Sequence, residues 1–244
     1  MNRVPIHLIR NDDPADKFPD VSDALTDPDG LLAIGGDLSP ERILAAYRRG
    51  IFPWFSEGDP VLWWAPDPRA VLYTDEFSCS RSLAKTLRQN KFQISVNQCF
   101  DKVITACAGL RQEDGTWITD SMAAAYSELH KLGHAHSVEA WQDGKLSGGL
   151  YGIRIGSVFF GESMFSTKPD ASKVALAALI RLCEASAIPV IDCQQPSAHL
   201  SRLGMRLIKR DKFTGLLDEF CPKPITGPDW SSEPLPTTDY RFKR

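Results

Sequence analysis

An α+β fold, with a small N-terminal domain ahead of a larger one, is predicted for this 244-residue chain on three observations. Beyond residue 67, segments of helical period alternate with runs of β-forming residues. Two turns of a few residues, QDGK and IG, join three of those runs into a meander, and residues 1–67 are loop-rich around one helix. Because turns that short join antiparallel neighbours, the sheet of the larger domain is expected to be mixed but largely antiparallel. At 43% hydrophobic and 24% charged residues, the chain can bury one large core or two unequal ones.

In order along the chain, NDDPADKFPD and TDPDG are turn chemistry. A helix then runs from Pro40 to about Arg49, with Ser39 as its cap, proline at the first helical position and Gly50 as its left-handed stop. In VLWWAPDPRAVL, Pro66 and Pro68 force an extended crossing before a strand at Ala70–Tyr73, and the domain boundary is placed between residues 67 and 68. A helix at Arg81–Asn90 precedes a strand at Phe92–Val96; the next helix, Ser121–Leu132, carries Met122, Tyr126 and Leu129 on one face. The meander occupies His136–Trp141, Leu146–Arg154 and Ser157–Phe165. A helix from Ala171 to Ala185, capped by Asp170, leads to a final strand in IPVIDCQ.

Strand, hairpin, strand, helix, strand is the order of a GNAT-type acyltransferase core, a fold that serves many functions, so the chemistry must come from residues. Side chains alternate along a strand, which puts Asp192 and Gln194 on one face of VIDCQ and Phe160, Glu162 and Met164 on one face of VFFGESM. If the two strands are neighbours, Glu162, Asp192 and Gln194 form one polar cluster among aromatics. A carboxylate in so apolar a strand needs a partner or a use. Six cysteines without a C-x-x-C pair argue against a zinc or redox site, and HKLGHAH spreads its histidines over a helix end, a break and a strand start, so no metal is expected. Trp63 and Trp64 read as packing residues. The formal charge of −3 does not advertise nucleic-acid binding, but Arg81, Lys85 and Arg88 share one helix face and are candidate phosphate contacts, as more weakly are Lys209, Arg210 and Lys212. The N-terminus has no apolar leader and no run approaches the ~20 residues of a membrane span, so a cytoplasmic protein without membrane partners is expected.

FPWF (52–55), WWAPDPRAVL (63–72), EDGTWIT (113–119), LGHAHSVE (132–139), GGLYG (148–152), FFGESMFS (159–166), ASK (171–173) and IDCQ (191–194), in this order over residues 30–210, together resemble the leucyl/phenylalanyl-tRNA–protein transferases. The resemblance implies a bacterial enzyme that joins Leu or Phe from Leu-tRNA or Phe-tRNA to proteins beginning with Arg or Lys, labelling them for N-end-rule degradation. It also implies a small N-terminal domain (1–67) on a GNAT-like domain (68–244). Asp192 and Gln194 match the proposed catalytic pair, and Glu162 the pocket glutamate. Trp54 and Trp117 match positions near the aminoacyl-adenosine end; Leu150, Phe159, Leu179 and Ile191 match the pocket wall, and Ser166 is counted among the substrate-binding positions. Leu150 stands where methionine is familiar, and Leu179 where an aromatic can occur.

This chemistry asks for no cofactor. An aminoacyl ester is already activated, and the chain lacks a G-x-x-x-x-G-K-[ST] loop. Two rivals remain at this point: an acetyl-CoA-dependent GNAT acyltransferase, against which the glycine-free STKPDASK at the helix start counts, and a non-catalytic module that binds N-termini or tRNA ends.

Overall fold

A computed structural model describes residues 6–109, 118–228 and 230. The first part of the chain holds β1 (His7–Ile9), β2 (Leu31–Gly35), α1 (Pro40–Arg48), β3 (Phe52–Pro53) and β4 (Leu62–Trp64). The expectation of loops around one helix is corrected here: the four strands form a sheet in the order β1-β2-β4-β3, with β1 parallel to β2 and the other pairs antiparallel. Helix α1 starts without a side-chain cap from Ser39, whose own N–H bonds Asp37 Oδ1 at 2.8 Å. Gly50 takes the left-handed conformation, φ 76°, that ends it.

The second part runs β5 (Arg69–Tyr73), α2 (Arg81–Arg88), β6 (Gln93–Val96), α3 (Phe100–Gly109), α4 (Asp120–Lys131), β7 (Ala135–Gln142), β8 (Lys145–Ile155), β9 (Val158–Ser166), α5 (Ala171–Ala185), β10 (Val190–Gln194), α6 (Ala198–Ser201), β11 (Arg206–Ile208) and α7 (Arg210–Phe220). Its seven strands lie in the order β11-β5-β10-β9-β8-β7-β6. Among the described residues of this sheet only the β9–β10 pair is parallel, because α5 carries the chain back across the sheet between them. Asp170 precedes α5 in a left-handed conformation, φ 66°, and makes no cap bond, contrary to expectation; it holds Lys173 Nζ at 2.7 Å and Thr86 Oγ1 at 3.2 Å. The N–H of Ser172 instead reaches Ser166 Oγ at 3.1 Å. A side chain at Gly148 would put its Cβ 2.6 Å from that of Ala171, so this glycine lets α5 settle on the sheet.

Two cores flank the sheet. Helix α5 with Leu83 and Leu87 of α2 covers one face; the other core joins α3, α4 and α7 to the buried residues of the first part, Ile43, Tyr47 and Trp63 among them. Among the described residues no helix is long and apolar enough to cross a membrane.

Candidate functional site

The ladder between β9 and β10 ends at the Phe160–Asp192 pair, while β9 continues to Ser166 and β10 to Gln194. Both strands are irregular just past that point. On β9, Gly161 opposes Gly152 but Ser163 opposes Tyr151, so Glu162 is an extra residue; on β10, Asp192 opposes Val71 but Gln194 opposes Ala70, so Cys193 is another. Such bulges re-aim side chains. They also correct the simple alternation: Phe160 joins the core under α3 and α4, whereas Met164 packs against the core under α5. Gln194 sits at φ 54°, and its N–H is fixed by Asp192 Oδ1 at 3.0 Å.

Beside the bulges a cleft of about 540 Å³ opens, lined by Phe52, Pro53 and Trp54 from the first part, Leu150, Glu162, Ser163 and Met164 from the meander, Leu176 and Leu179 from α5, and Ile191, Cys193, Gln194, His199 and Leu200 beyond it. Glu162 is half-buried. Its Oε1 accepts from Tyr47 Oη at 2.6 Å and Gln194 Nε2 at 3.0 Å, and its Oε2 from Tyr126 Oη at 2.9 Å. The two phenol oxygens are themselves 2.6 Å apart. Burial pushes the Glu162 carboxyl up to about 7, opposed by the Tyr47 and Tyr126 hydrogen bonds, reinforced by the charge of Asp192 and opposed again by Arg69. Burial and then the Glu162 charge hold both phenols well above the usual tyrosine range, so they stay neutral donors.

Asp192 does not reach the cleft. It is fully buried and paired bidentately with Arg69, Nε to Oδ1 at 2.8 Å and Nη2 to Oδ2 at 2.7 Å. Nη1 of Arg69 bonds the carbonyl of Gly50 at 2.9 Å, and the guanidinium stands 4.7 Å from the ring centroids of Phe52 and of Phe213. Two rings, a carboxylate and a carbonyl together offset the cost of burying this cation.

The expected cluster of Glu162, Asp192 and Gln194 is therefore assembled, with Asp192 holding the Gln194 backbone rather than its amide. The partners that compensate it were not anticipated. Arg69 is the cation paired with Asp192, and the donors to Glu162 besides Gln194 are Tyr47 of α1 and Tyr126 of α4, the second on the apolar face that the sequence shares among Met122, Tyr126 and Leu129. Their one sequence signal is a polar tip on an otherwise apolar face. Trp54, Leu150, Leu179 and Ile191 line the cleft. Phe159 does not: it is fully buried behind the wall, 5.7 Å from the Trp230 ring centroid. Ser166 is exposed at the end of β9 and does not line the cleft, and Trp117 lies outside the described residues. Trp63 is fully buried, Trp64 is tilted against Trp54 with centroids 5.5 Å apart, and Trp54 is 39% exposed at the cleft mouth. Arg81, Lys85 and Arg88 are all exposed on α2. In HKLGHAH, His130 stacks on Phe100 with centroids 4.4 Å apart, and His136 bonds Asn97 at 3.0 Å. Two buried polar atoms that line the cleft, Ser163 Oγ and His199 Nε2, have no hydrogen-bond partner among the described residues.

A family model described as leucyl/phenylalanyl-tRNA protein transferase matches residues 71–218, and one described as the N-terminal domain of the same transferase matches residues 36–67. The leucyl/phenylalanyl-tRNA–protein transferase of Hydrogenovibrio crunogenus is 52% identical over 223 residues, covering 88% of this chain and 87% of its own. That of Chromobacterium violaceum is 53% identical over 218 residues, with 89% and 94% covered. Among solved structures, L-PGS from Bacillus licheniformis superposes with a TM-score of 0.39 at 9% identity over 68% of this chain and 53% of its own, a likeness too loose to carry any conclusion.

Proposed function

We infer the working of the cleft from one premise: this chain belongs to the leucyl/phenylalanyl-tRNA–protein transferase family. It is an aminoacyltransferase, moving Leu or Phe from aminoacyl-tRNA to the N-terminus of a protein, and the family's role is in N-end-rule degradation. The finer reading takes Arg or Lys as the acceptor's first residue, divides the chain into residues 1–67 and 68–244, and regards the seven-stranded sheet as GNAT-like, with the donor at the opening between β9 and β10.

The observation that carries the site assignment is the junction of a carboxylate, an amide and two phenols at the floor of an otherwise apolar cleft. Leu150, Leu179 and Ile191 form the wall for the donor's side chain, with Phe159 supporting it from behind and Ser166 acting through the start of α5. Trp54 offers a ring face near the donor's terminal adenosine, a role in which Trp117 is its proposed companion. The ester is activated, so what remains is to hold the acceptor amine against the carbonyl carbon; positioning of that kind supplies about 7–11 kcal/mol in favourable cases. A free α-amino group, pKa about 7.7–8.0, is roughly a tenth to a sixth neutral at pH 7, so a strong base is not required. Gln194 accepts a hydrogen bond from the amine through its amide oxygen, because its Nε2 is committed to Glu162. Asp192, anchored on Arg69, fixes the backbone from which that amide projects.

Glu162 receives a positive charge arriving with the substrates. Labelled phenylalanine on tRNA, offered with a peptide beginning with Arg, tests the reading: the label is expected to pass to the peptide, and labelled acetyl-CoA is expected to give none. Label retained on tRNA beside a good acceptor would overturn it.

A further inference from the structure

Strand β9 is open along the side that faces the cleft. Its ladder with β10 stops at the Phe160–Asp192 pair, yet the strand runs on to Ser166. Consecutive residues of it, Gly161 to Met164, all line the cleft, as do the neighbours Leu150 and Tyr151 on β8. Successive side chains of a strand point to opposite faces, so the cleft reaches both faces of the sheet and passes the edge of β9 between them.

That edge offers main-chain groups. The N–H of Thr167 bonds the carbonyl of Ser147 at 2.8 Å, and with the register of β8 and β9 this directs the main chain of Phe165 and Ser163 towards β8. The N–H and C=O of Met164, which lies between them, therefore point into the opening, where no group of the described residues bonds them. An open edge of this kind pairs with another extended chain.

The two faces differ in chemistry. Met164 opposes Leu150, and both stand on the face covered by α5, with Leu176, Leu179 and Ile191. Ser163 opposes Tyr151 on the other face, to which Tyr47 and Tyr126 also turn the Glu162 carboxylate. Ser163 Oγ is shut off from solvent and has no hydrogen-bond partner among the described residues, although the residue lines the cleft. Leaving a buried hydroxyl unbonded is unfavourable, and a donor group arriving in the cleft relieves it.

We propose that the joined substrates lie on Met164 as an added strand antiparallel to β9, with the donor's side chain on the α5 face and the acceptor's first side chain on the other, where Ser163 Oγ accepts a hydrogen bond from it. The donor residue stands level with Met164, meeting its N–H and C=O. Strand alternation makes the assignment: once the donor residue faces the apolar wall, the next residue faces Ser163 and Glu162, where a hydroxyl and a carboxylate suit a cationic side chain. This rests on the transferase reading and adds to it how the acceptor's first side chain is selected.

Two measurements test it. With Phe-tRNA as donor and a peptide beginning with Arg as acceptor, Ser163→Ala should raise the acceptor KM about three- to tenfold, the loss of one hydrogen bond, and leave the donor KM unchanged. Ser163→Thr keeps the hydroxyl and should recover most of that loss. In the wild type, saturating product peptide, Phe-Arg-Ala-Ala, should slow exchange of the Met164 amide hydrogen about tenfold or more, and by more than it slows the Phe165 amide, which β8 already bonds. An unchanged acceptor KM in Ser163→Ala, or a rise in the donor KM in its place, overturns the role of Ser163. A Met164 amide slowed no more than that of Phe165 overturns the added strand, and this exchange measurement decides alone if the serine variants fail to fold. Failure of wild-type transfer from Phe-tRNA to the Arg peptide, by contrast, removes the transferase reading itself.

Discussion

Burial lifts the Glu162 carboxyl from 4.5 to about 7, so ionising it costs the folded chain free energy that it does not cost the unfolded one. The sign follows: the contribution is full below about pH 4.5 and is lost as pH rises through about 7. Glu162→Gln, which keeps the shape and removes the charge, should therefore melt with the wild type near pH 4.5 and above it at pH 8, while transfer falls. A melting difference that stays flat across this range would mean that Glu162 does not titrate there. The same group predicts proton release: at pH 7, binding a cationic acceptor should expel a fraction of a proton, read by calorimetry in buffers of different ionisation heat. Asp192 behaves differently. Asp192→Asn leaves Arg69 buried without its counter-charge, a change that costs about 3–5 kcal/mol in such pairs, so its urea midpoint should drop as well as its rate. Gln194→Ala removes one of the three hydrogen bonds to Glu162 but breaks no ion pair, and should lose rate with stability changed by about 1 kcal/mol.

At the scale of elements, α2 presents Arg81, Lys85 and Arg88 on one exposed face. Replacing all three should weaken tRNA binding and flatten its salt dependence by about two to three in logarithmic slope, as expected for the loss of three phosphate contacts. An unchanged slope would assign the stripe to solvation. The long elements were legible because each keeps one period: α1, α4, α5 and the meander stand within a residue or two of where the pattern puts them. Helix α3 had a signal that went unused, since Phe100, Val103, Ile104 and Cys107 are buried at i, i+3, i+4 and i+7. The first sheet had almost none. Strands of two to five residues are too short to alternate, and β1 finds β2 across more than twenty residues of turns. The polar types of the site could be read from IDCQ and FFGESMFS. The bulges could not, because no residue type announces them, and Tyr47 is 115 residues from the glutamate it bonds.

On the scale of the whole molecule, the core beneath β8 and β9 is continuous with that of the first part: the Tyr47 ring meets Phe160 edge-on, 5.1 Å between centroids, and Ile43, Phe100 and Phe213 belong to the same cluster. The two sequence units thus share one core and are expected to unfold together. Ile43→Ala, at a fully buried position, should cost about 2–5 kcal/mol and lower the whole transition. Hydrogen exchange checks this: amides of β2 and β8 should lose protection together, whereas loss in β2 alone would mean that the first unit unfolds independently. The Arg69–Asp192 pair also gives the site a history. Asp192 follows Arg69 by 123 residues, and at about 5–20 residues per second of synthesis the cation waits on the order of ten seconds for its partner. Phe213, which closes the guanidinium from one side, emerges later still. A stalled nascent chain should therefore gain protease resistance around the cleft only once residue 213 has left the ribosome. Chains cut short before β10 have no Asp192 to pair with Arg69, so incomplete copies of this transferase are expected to be inert and to be cleaved faster than the full chain.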